Sequence, residues 1–214
     1  LGVYPAGADQ TLSDPWAGLK RLTEEIPLHP YSRVAATEIE ENLDFVRQIL
    51  NTAGLAYHCG RQKNLQVLTA AGTFKPSFLV PATMVKADQV FHNKKTPLLL
   101  VDFNGLKGYS AKQIAANLKQ HHWEVSVLNI EVPQLSGDFN VTRLAELFET
   151  PLFVETLGQA IVSGSHKPAA LGLPAVCGIN PELSIVKQLE TLTGMDCFEI
   201  PGLPPSIPGL RLKN

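Results

Sequence analysis

The stretch PLLLVDFNGLKGYS most constrains what this chain can fold into. Residues 97–103 form a continuous apolar run, which is typical of a strand in a sheet that is covered on both faces. Gly105 and Gly108 then indicate a turn, and Ser110 is a candidate cap for the helix AKQIAANLKQ. A second β-prone run follows at 123–132. This order of strand, helix and strand predicts a right-handed crossover between parallel strands.

The same alternation continues along the chain as far as residue 200. Its next elements are a long helical region at 141–163, a strand at 169–176, a helix from Asn180 and Pro181 to Gly194, and a strand at 196–200. We therefore predict an α/β fold, with a Rossmann-like layer of about four mostly parallel strands and their helices.

Helical signals come first in the chain. Asp14 is a candidate cap for a helix that has Pro15 at its first position. Thr37 and Glu40 have the spacing of a capping box and precede an amphipathic pattern. Gly54 is a plausible end for that second helix.

Short β-prone runs fill residues 55–81 and predict a small antiparallel meander. Pro76 lies within the last run and predicts an edge strand or a bulged strand, because proline cannot donate to a ladder. The resulting division has three parts. It comprises a helical and antiparallel β part at 1–96, the α/β layer at 97–200, and a proline-rich segment at 201–214.

Charge and cysteine content narrow the functional classes. The chain has 18 Lys and Arg against 20 Asp and Glu, without a basic stripe, so we expect no nucleic-acid partner. No apolar run approaches the length of a membrane span. Cys59, Cys177 and Cys197 are odd in number and lie in or beside apolar segments, which favours free thiols in the reducing cytoplasm. Their spacing predicts no metal site.

Both ends of the sequence predict an interior piece of a longer protein. The chain opens LGVYPAGADQ, without an initiator methionine or a signal peptide. It closes with Pro204, Pro205 and Pro208, which forbid a long helix but allow a short helical turn from Pro205 or Ser206. The alternative is a complete domain with trimmed or processed termini.

The glycine turn is a candidate phosphate-binding loop. Gly105, Gly108 and Ser110 connect a strand to a helix N-terminus, where backbone N–H groups can hold a phosphate. The G-x-G-x-x-G fingerprint is not present, however, and a tight turn without a ligand is the competing interpretation.

Two further segments carry candidate binding residues. Ser206 and Arg211 follow a strand end, and Arg211 suits a carboxylate, a phosphate or a flavin oxygen. The alternative there is a rigid proline turn with a surface arginine. Thr73 and Lys75 lie in a predicted hairpin, which by itself explains both residues. No catalytic residue can be assigned, since G-x-S-x-G, H-E-x-x-H and P-loop motifs do not occur.

Four segments together resemble a known family. HPYS, LTAAGTFKPSFLVPATM, LLLVDFNGLKGYS and above all IPGLPPSIPGLRL are similar to the middle of the B subunit of the anaerobic glycerol-3-phosphate dehydrogenases, which are flavoproteins. The resemblance implies a substrate or cap domain of a flavin-dependent oxidoreductase, whose parent contains FAD or FMN. It also implies electron transfer from glycerol 3-phosphate to the quinone pool, with partner subunits that supply the substrate site and an iron–sulfur relay.

The same resemblance sets expectations for this piece alone. Because the glycine-rich flavin turn of the family is absent, we expect it to bind flavin weakly or not at all and to have no turnover. Thr73, Lys75, Ser206 and Arg211 are implied to be flavin- or substrate-facing in the parent. Partner subunits would hold the parent at the inner face of the membrane. Two alternatives stay open, a self-contained small-molecule or phosphate-binding α/β module and a subunit-docking domain.

Overall fold

The structure is a computed structural model that describes residues 13–60, 63–165, 168–202 and 206–213. The chain forms two compact units. Unit 1 comprises Leu1–Val67 and Lys75–Val85, and unit 2 comprises Leu68–Phe74 and Lys86–Asn214. The domain boundaries predicted at residues 96/97 and 200/201 stay predictions.

The described residues of the first part of the chain contain two α-helices and four short strands. They are α1 (Pro15–Glu25), α2 (Ala36–Thr52), β1 (Tyr57–Cys59), β2 (Leu65–Leu68), β3 (Phe74–Ser77) and β4 (Leu79–Pro81). Strands β1 and β4 pair in antiparallel fashion, whereas β2 pairs with β3 in a separate two-stranded sheet. The predicted meander is therefore two small sheets rather than one.

The helix starts of unit 1 differ in how well the sequence predicts them. The carboxylate of Asp14 accepts the backbone N–H groups of Trp16 and Ala17, so the predicted cap of α1 is confirmed. The predicted capping box of α2 is wrong. The helix begins at Ala36, after an extended Ala35 that makes no side-chain cap bond, and Thr37 already lies inside the first turn. A side chain within the helix cannot reach back as a cap.

Unit 2 contains a parallel sheet and its covering helices. Its elements are α3 (Lys86–His92), β5 (Leu98–Phe103), α4 (Ala111–Gln120), β6 (Val125–Ile130), α5 (Val141–Phe148), α6 (Pro151–Gly164), β7 (Ala170–Pro174), α7 (Ile185–Thr193), β8 (Asp196–Ile200) and α8 (Ile207–Lys213). The four strands are ordered β6-β5-β7-β8 and every pair is parallel. This sheet confirms the predicted α/β layer, and β5 and β7 form its buried centre.

Two helical regions of unit 2 are divided where the sequence predicted continuity. The region at 141–163 is two helices, because Thr150 is extended ahead of Pro151, and proline disfavours helical dihedrals at the preceding residue. Asn180 caps only a short 3₁₀ turn, and Ser184 then adopts a left-handed conformation before α7 starts. The predicted end at Gly194 is confirmed by its φ of 70°.

The proline-rich segment closes with a helix of seven residues. Helix α8 begins at Ile207 and contains Pro208 in its first turn, where a missing N–H group is tolerated. The predicted short helical turn is thus longer than a turn and begins one residue after Ser206. Pro204 and Pro205 lie outside the described residues.

Candidate functional site

The candidate site lies at the carboxyl edge of the parallel sheet. The chain runs from β5 outward to β6, and then returns to the other side of β5 to form β7 and β8. The direction of winding therefore changes between β5 and β7. In open α/β sheets, ligands bind outside the carboxyl ends of the strands at such a switch point.

A very small cavity is present at this switch point. Its volume is about 10 Å³, and it is lined by Tyr109, Val141, Pro174, Ala175, Gly202, Ser206 and Ile207. A cavity needs roughly 10–15 Å³ to hold one water molecule, and pockets that enclose drug-sized ligands occupy roughly 300–1,000 Å³. The cavity formed by the described residues is therefore about the size of one water molecule and too small for a ring system.

Tyr109 is one of the residues that line this cavity. Its side chain is 8% exposed, and the buried hydroxyl makes no hydrogen bond with the described residues. Burial, and secondly the charge of Asp102, raise the pKa of Tyr109 well above its usual value. The phenol is consequently neutral at physiological pH and can donate one hydrogen bond.

The β5–α4 turn uses its own side chains to satisfy its backbone. The carboxylate of Asp102 accepts the N–H groups of Phe103 and Ala111 at 2.9 and 2.8 Å, and Ser110 caps α4 through Gln113. Burial raises the pKa of Asp102, and these two backbone hydrogen bonds oppose the shift. A carboxylate thus occupies the helix start that a phosphate would need, so the geometry favours a tight turn over a phosphate loop.

The two glycines of that turn have backbone conformations that favour glycine. Gly105 and Gly108 have φ values of 94° and 81°. A Cβ atom at Gly105 would also lie 2.4 Å from the carbonyl oxygen of Gly137. The turn is held tightly by the segment that contains Gly137, and its glycines are explained without a ligand.

A buried ion pair joins strand β8 to helix α8. Glu199 on β8 is 0% exposed, and its two carboxylate oxygens accept the two Nη groups of Arg211 at 2.7 and 2.9 Å. The Nε atom of Arg211 donates to the carbonyl of Gly178, and the N–H of Cys177 donates to Glu199. Arg211 on α8 is therefore neither a surface side chain nor open to a ligand. It joins α8 to β8 and to the segment after β7.

A second carboxylate holds the same segment after β7. One oxygen of Glu149 accepts the N–H groups of both Ile179 and Asn180 at 2.7 Å. Gly178 precedes them with a φ of 80°, and a Cβ there would lie 2.6 Å from Ile185. Residues 177–180 are thus constrained from two sides by Glu149 and Glu199.

The remaining predicted site residues are exposed. Thr73 shares a hydrogen bond with the hydroxyl of Thr69 at 2.9 Å, and Lys75 projects from β3. Ser206 accepts the N–H of Gly209 at the start of α8 and also lines the cavity. Of the four residues proposed to face a flavin, only Ser206 borders the switch-point cavity.

Sequence reasoning missed the four residues that organise this edge, namely Asp102, Tyr109, Glu149 and Glu199. A signal was available for two of them. Asp102 lies within LLLVDF, one residue before its end, and Glu199 lies within DCFEI. A carboxylate within a strand that is otherwise apolar indicates a buried, paired charge. Nothing local identifies Tyr109 or Glu149.

Neither a metal site nor a membrane-spanning helix is found among the described residues. No group of His, Cys, Asp and Glu there could hold a metal ion. None of the helices in the described ranges is both long enough and apolar enough to cross a membrane.

Comparison with known proteins gives one consistent result. The chain is similar to curated proteins named as the B subunit of anaerobic glycerol-3-phosphate dehydrogenase. Identity is 25% over 225 residues with the protein of Vibrio vulnificus strain YJ016, covering 100% of this chain and 50% of the relative. Identity is 26% over 219 residues with the protein of Haemophilus influenzae strain PittGG, covering 97% of this chain and 50% of the relative. For Pasteurella multocida strain Pm70 it is 27% over 202 residues, covering 89% and 46%.

The match covers nearly all of this chain but only part of each relative. The chain spans about half the length of the curated relatives it matches, as expected for an interior piece of such a protein. No family model matches the chain, and no solved structure matches it.

Proposed function

We propose that this chain is the substrate or cap domain of a flavin-dependent oxidoreductase. The observation that carries the proposal is the similarity of nearly the whole chain to dehydrogenase subunits about twice its length. The parent protein would oxidise glycerol 3-phosphate and pass the electrons to the quinone pool. Its partner subunits would supply the substrate site and the iron–sulfur relay.

The flavin, FAD or FMN, would be held mainly by parts of the parent that lie outside this chain. The switch-point cavity of about 10 Å³ does not fit an isoalloxazine ring. Of the residues proposed to face the flavin, Arg211 is engaged by Glu199. We therefore propose a positioning role for Arg211 and keep Thr73, Lys75 and Ser206 as positions that face the flavin or the substrate in the parent.

Within this proposal, the carboxyl edge of the sheet is a rigid wall beside the reacting molecules. Glu149, Glu199 and Arg211 fix the segment after β7 and the position of α8. Tyr109, whose buried hydroxyl has no hydrogen-bond partner among the described residues, lies at the switch point. Groups whose orientation is set by such contacts are suited to orienting a bound molecule.

The test compares the complete polypeptide with the 214-residue chain. Both are purified under the same conditions, and flavin absorbance and glycerol-3-phosphate-dependent reduction of a quinone analogue are measured with the partner subunits present. We expect flavin and activity in the complete assembly and neither in the chain alone. A complete polypeptide without flavin, or an assembly that does not oxidise glycerol 3-phosphate, would overturn the proposal.

A further inference from the structure

Helix α2 has more apolar surface than the described residues of its own unit cover. Ile39, Leu43 and Leu50 share one face of the helix and are half-buried. Phe45 and Ile49 lie one turn apart and roughly 120–160° around the helix from Leu43. They are 61% and 51% exposed.

The exposed side chains form a patch rather than scattered points. Val46 adjoins Phe45 and Ile49 and is 44% exposed, and none of the 17 residues of α2 is buried. An amphipathic helix of a compact domain normally buries its apolar stripe and exposes a polar face. A contiguous apolar patch that stays exposed marks an interaction surface.

An acidic groove runs beside this patch. Its volume is about 730 Å³, and Phe45 and Leu43 line it together with the acidic residues Glu40, Glu41 and Asp44. Arg47 binds Asp44, with Nε to Oδ1 at 2.9 Å, and the hydrogen bond from Arg47 lowers the pKa of that carboxyl. Asp44 and Arg47 thus largely compensate each other.

The net charge of the groove therefore comes from two glutamates. Among the described residues, Glu40 and Glu41 form no ion pair, so the groove has an uncompensated negative charge beside an apolar patch. A second copy of this chain that docked through the same face would place like charges against each other, which is unfavourable. The complementary surface is apolar and positively charged.

We propose that Phe45, Val46, Ile49 and the adjoining groove dock a basic amphipathic segment of a separate partner subunit. The apolar side chains of that segment cover the patch on α2, and its Lys or Arg side chains approach Glu40 and Glu41. This is the helix-in-groove mode of recognition, with anchors one helical turn apart. The inference rests on the proposed function for the existence of partner subunits.

The experiment measures association of the complete polypeptide with the remaining subunits of the proposed dehydrogenase assembly. One variant combines Phe45→Ala with Ile49→Ala, and its control is Leu152→Ala, because Leu152 is a 71% exposed side chain on α6. We expect the double variant to weaken association at least about 10-fold and the control to leave it unchanged.

Charge reversal provides an independent arm. Glu40→Lys with Glu41→Lys is expected to weaken association and to reduce its dependence on ionic strength, because the attraction from the groove is lost. Glu155→Lys, at an exposed position on α6, is the control for a charge reversal away from the groove. The thermal midpoint of each variant is measured on the complete polypeptide alone.

Four results would overturn the inference. The first is that the wild-type protein binds no partner subunit, and the second is that the variants bind as tightly as the wild type. The third is that the variants have a lower thermal midpoint but unchanged association, and the fourth is that the substitutions dissociate a homodimer. The third result would mean that the same polypeptide covers the patch, and the fourth that a second copy does. Association is measured without substrate, so it is tested separately from activity. If the variants lose association but the assembly lacks flavin or activity, the proposed function is refuted and the docking surface is still supported.

Discussion

Replacing Arg211 by methionine should strongly destabilise unit 2. The change removes three hydrogen bonds, two to Glu199 and one to Gly178, and leaves a fully buried carboxylate without its cation. Loss of one partner from a buried pair costs about 3–5 kcal/mol of unfolding free energy. For a chain of this size, that loss lowers the thermal midpoint by roughly 6–20 °C.

Tryptophan fluorescence during urea denaturation can report this loss from unit 2 alone. The chain has two tryptophans, Trp16 in unit 1 and Trp123 in unit 2. A Trp16→Phe background leaves Trp123, which is buried and stacks on Phe74, as the probe. The change in unfolding free energy is read from the shift in the midpoint at constant slope.

Two control variants separate the buried pair from a general effect of charge removal. Lys107→Met removes an exposed pair with Asp138 and should change stability by less than about 1 kcal/mol. Glu199→Leu combined with Arg211→Met should be more stable than Arg211→Met alone, because no unpaired charge stays buried. If Arg211→Met is no more destabilising than Lys107→Met, the pair is not desolvated and the reasoning is refuted.

Three further predictions concern single positions. In Gly137→Ala the new Cβ atom meets no atom within 4 Å, so the variant should lose only about 1–2 kcal/mol of unfolding free energy through backbone strain. Gly105→Ala adds a clash and should lose roughly 1–3 kcal/mol more, as measured by urea denaturation. Equal losses in the two variants would show that the turn relaxes. Burial raises the pKa of Cys197 to about 12, so at about pH 8 only roughly one Cys197 thiol in 10⁴ is ionised. The half-buried Cys59 should therefore react first with a thiol reagent. A fast phase of the reaction that persists in Cys59→Ser would contradict this prediction. Tyr109→Phe should leave stability unchanged or raise it by up to about 1 kcal/mol in the same denaturation assay, and a larger loss would mean that the hydroxyl has a partner.

The parallel sheet was predictable because its signals are local and strong. The apolar run at 97–103 marks a doubly covered strand, and Ser110 starts the following helix as predicted. The error at α2 shows where such signals fail. Thr37 and Glu40 have the right spacing, but helical dihedrals begin one residue before Thr37. Spacing alone does not determine which residue is the last one outside a helix.

The candidate site was much less predictable than the sheet. Arg211 was a candidate from the sequence as a flavin- or substrate-facing cation, but its contacts in the fold were not predictable, since Glu199 lies on β8 and Gly178 follows β7. Tyr109 gave no sequence signal, because a tyrosine beside a glycine turn is equally consistent with an exposed position. Its significance comes from burial without a hydrogen-bond partner among the described residues.

The order of strands and helices, the cap at Asp14 and the left-handed end at Gly194 were determined by the sequence itself. Each depends on the dihedral preferences and hydrogen bonds of neighbouring residues, which act over one or two turns of chain. The tertiary structure alone decided that Glu199 meets Arg211 and that the described residues leave Phe45, Val46 and Ile49 of α2 exposed. Those outcomes depend on which surfaces packing removes from water, and burial is a property of the folded chain rather than of any local segment.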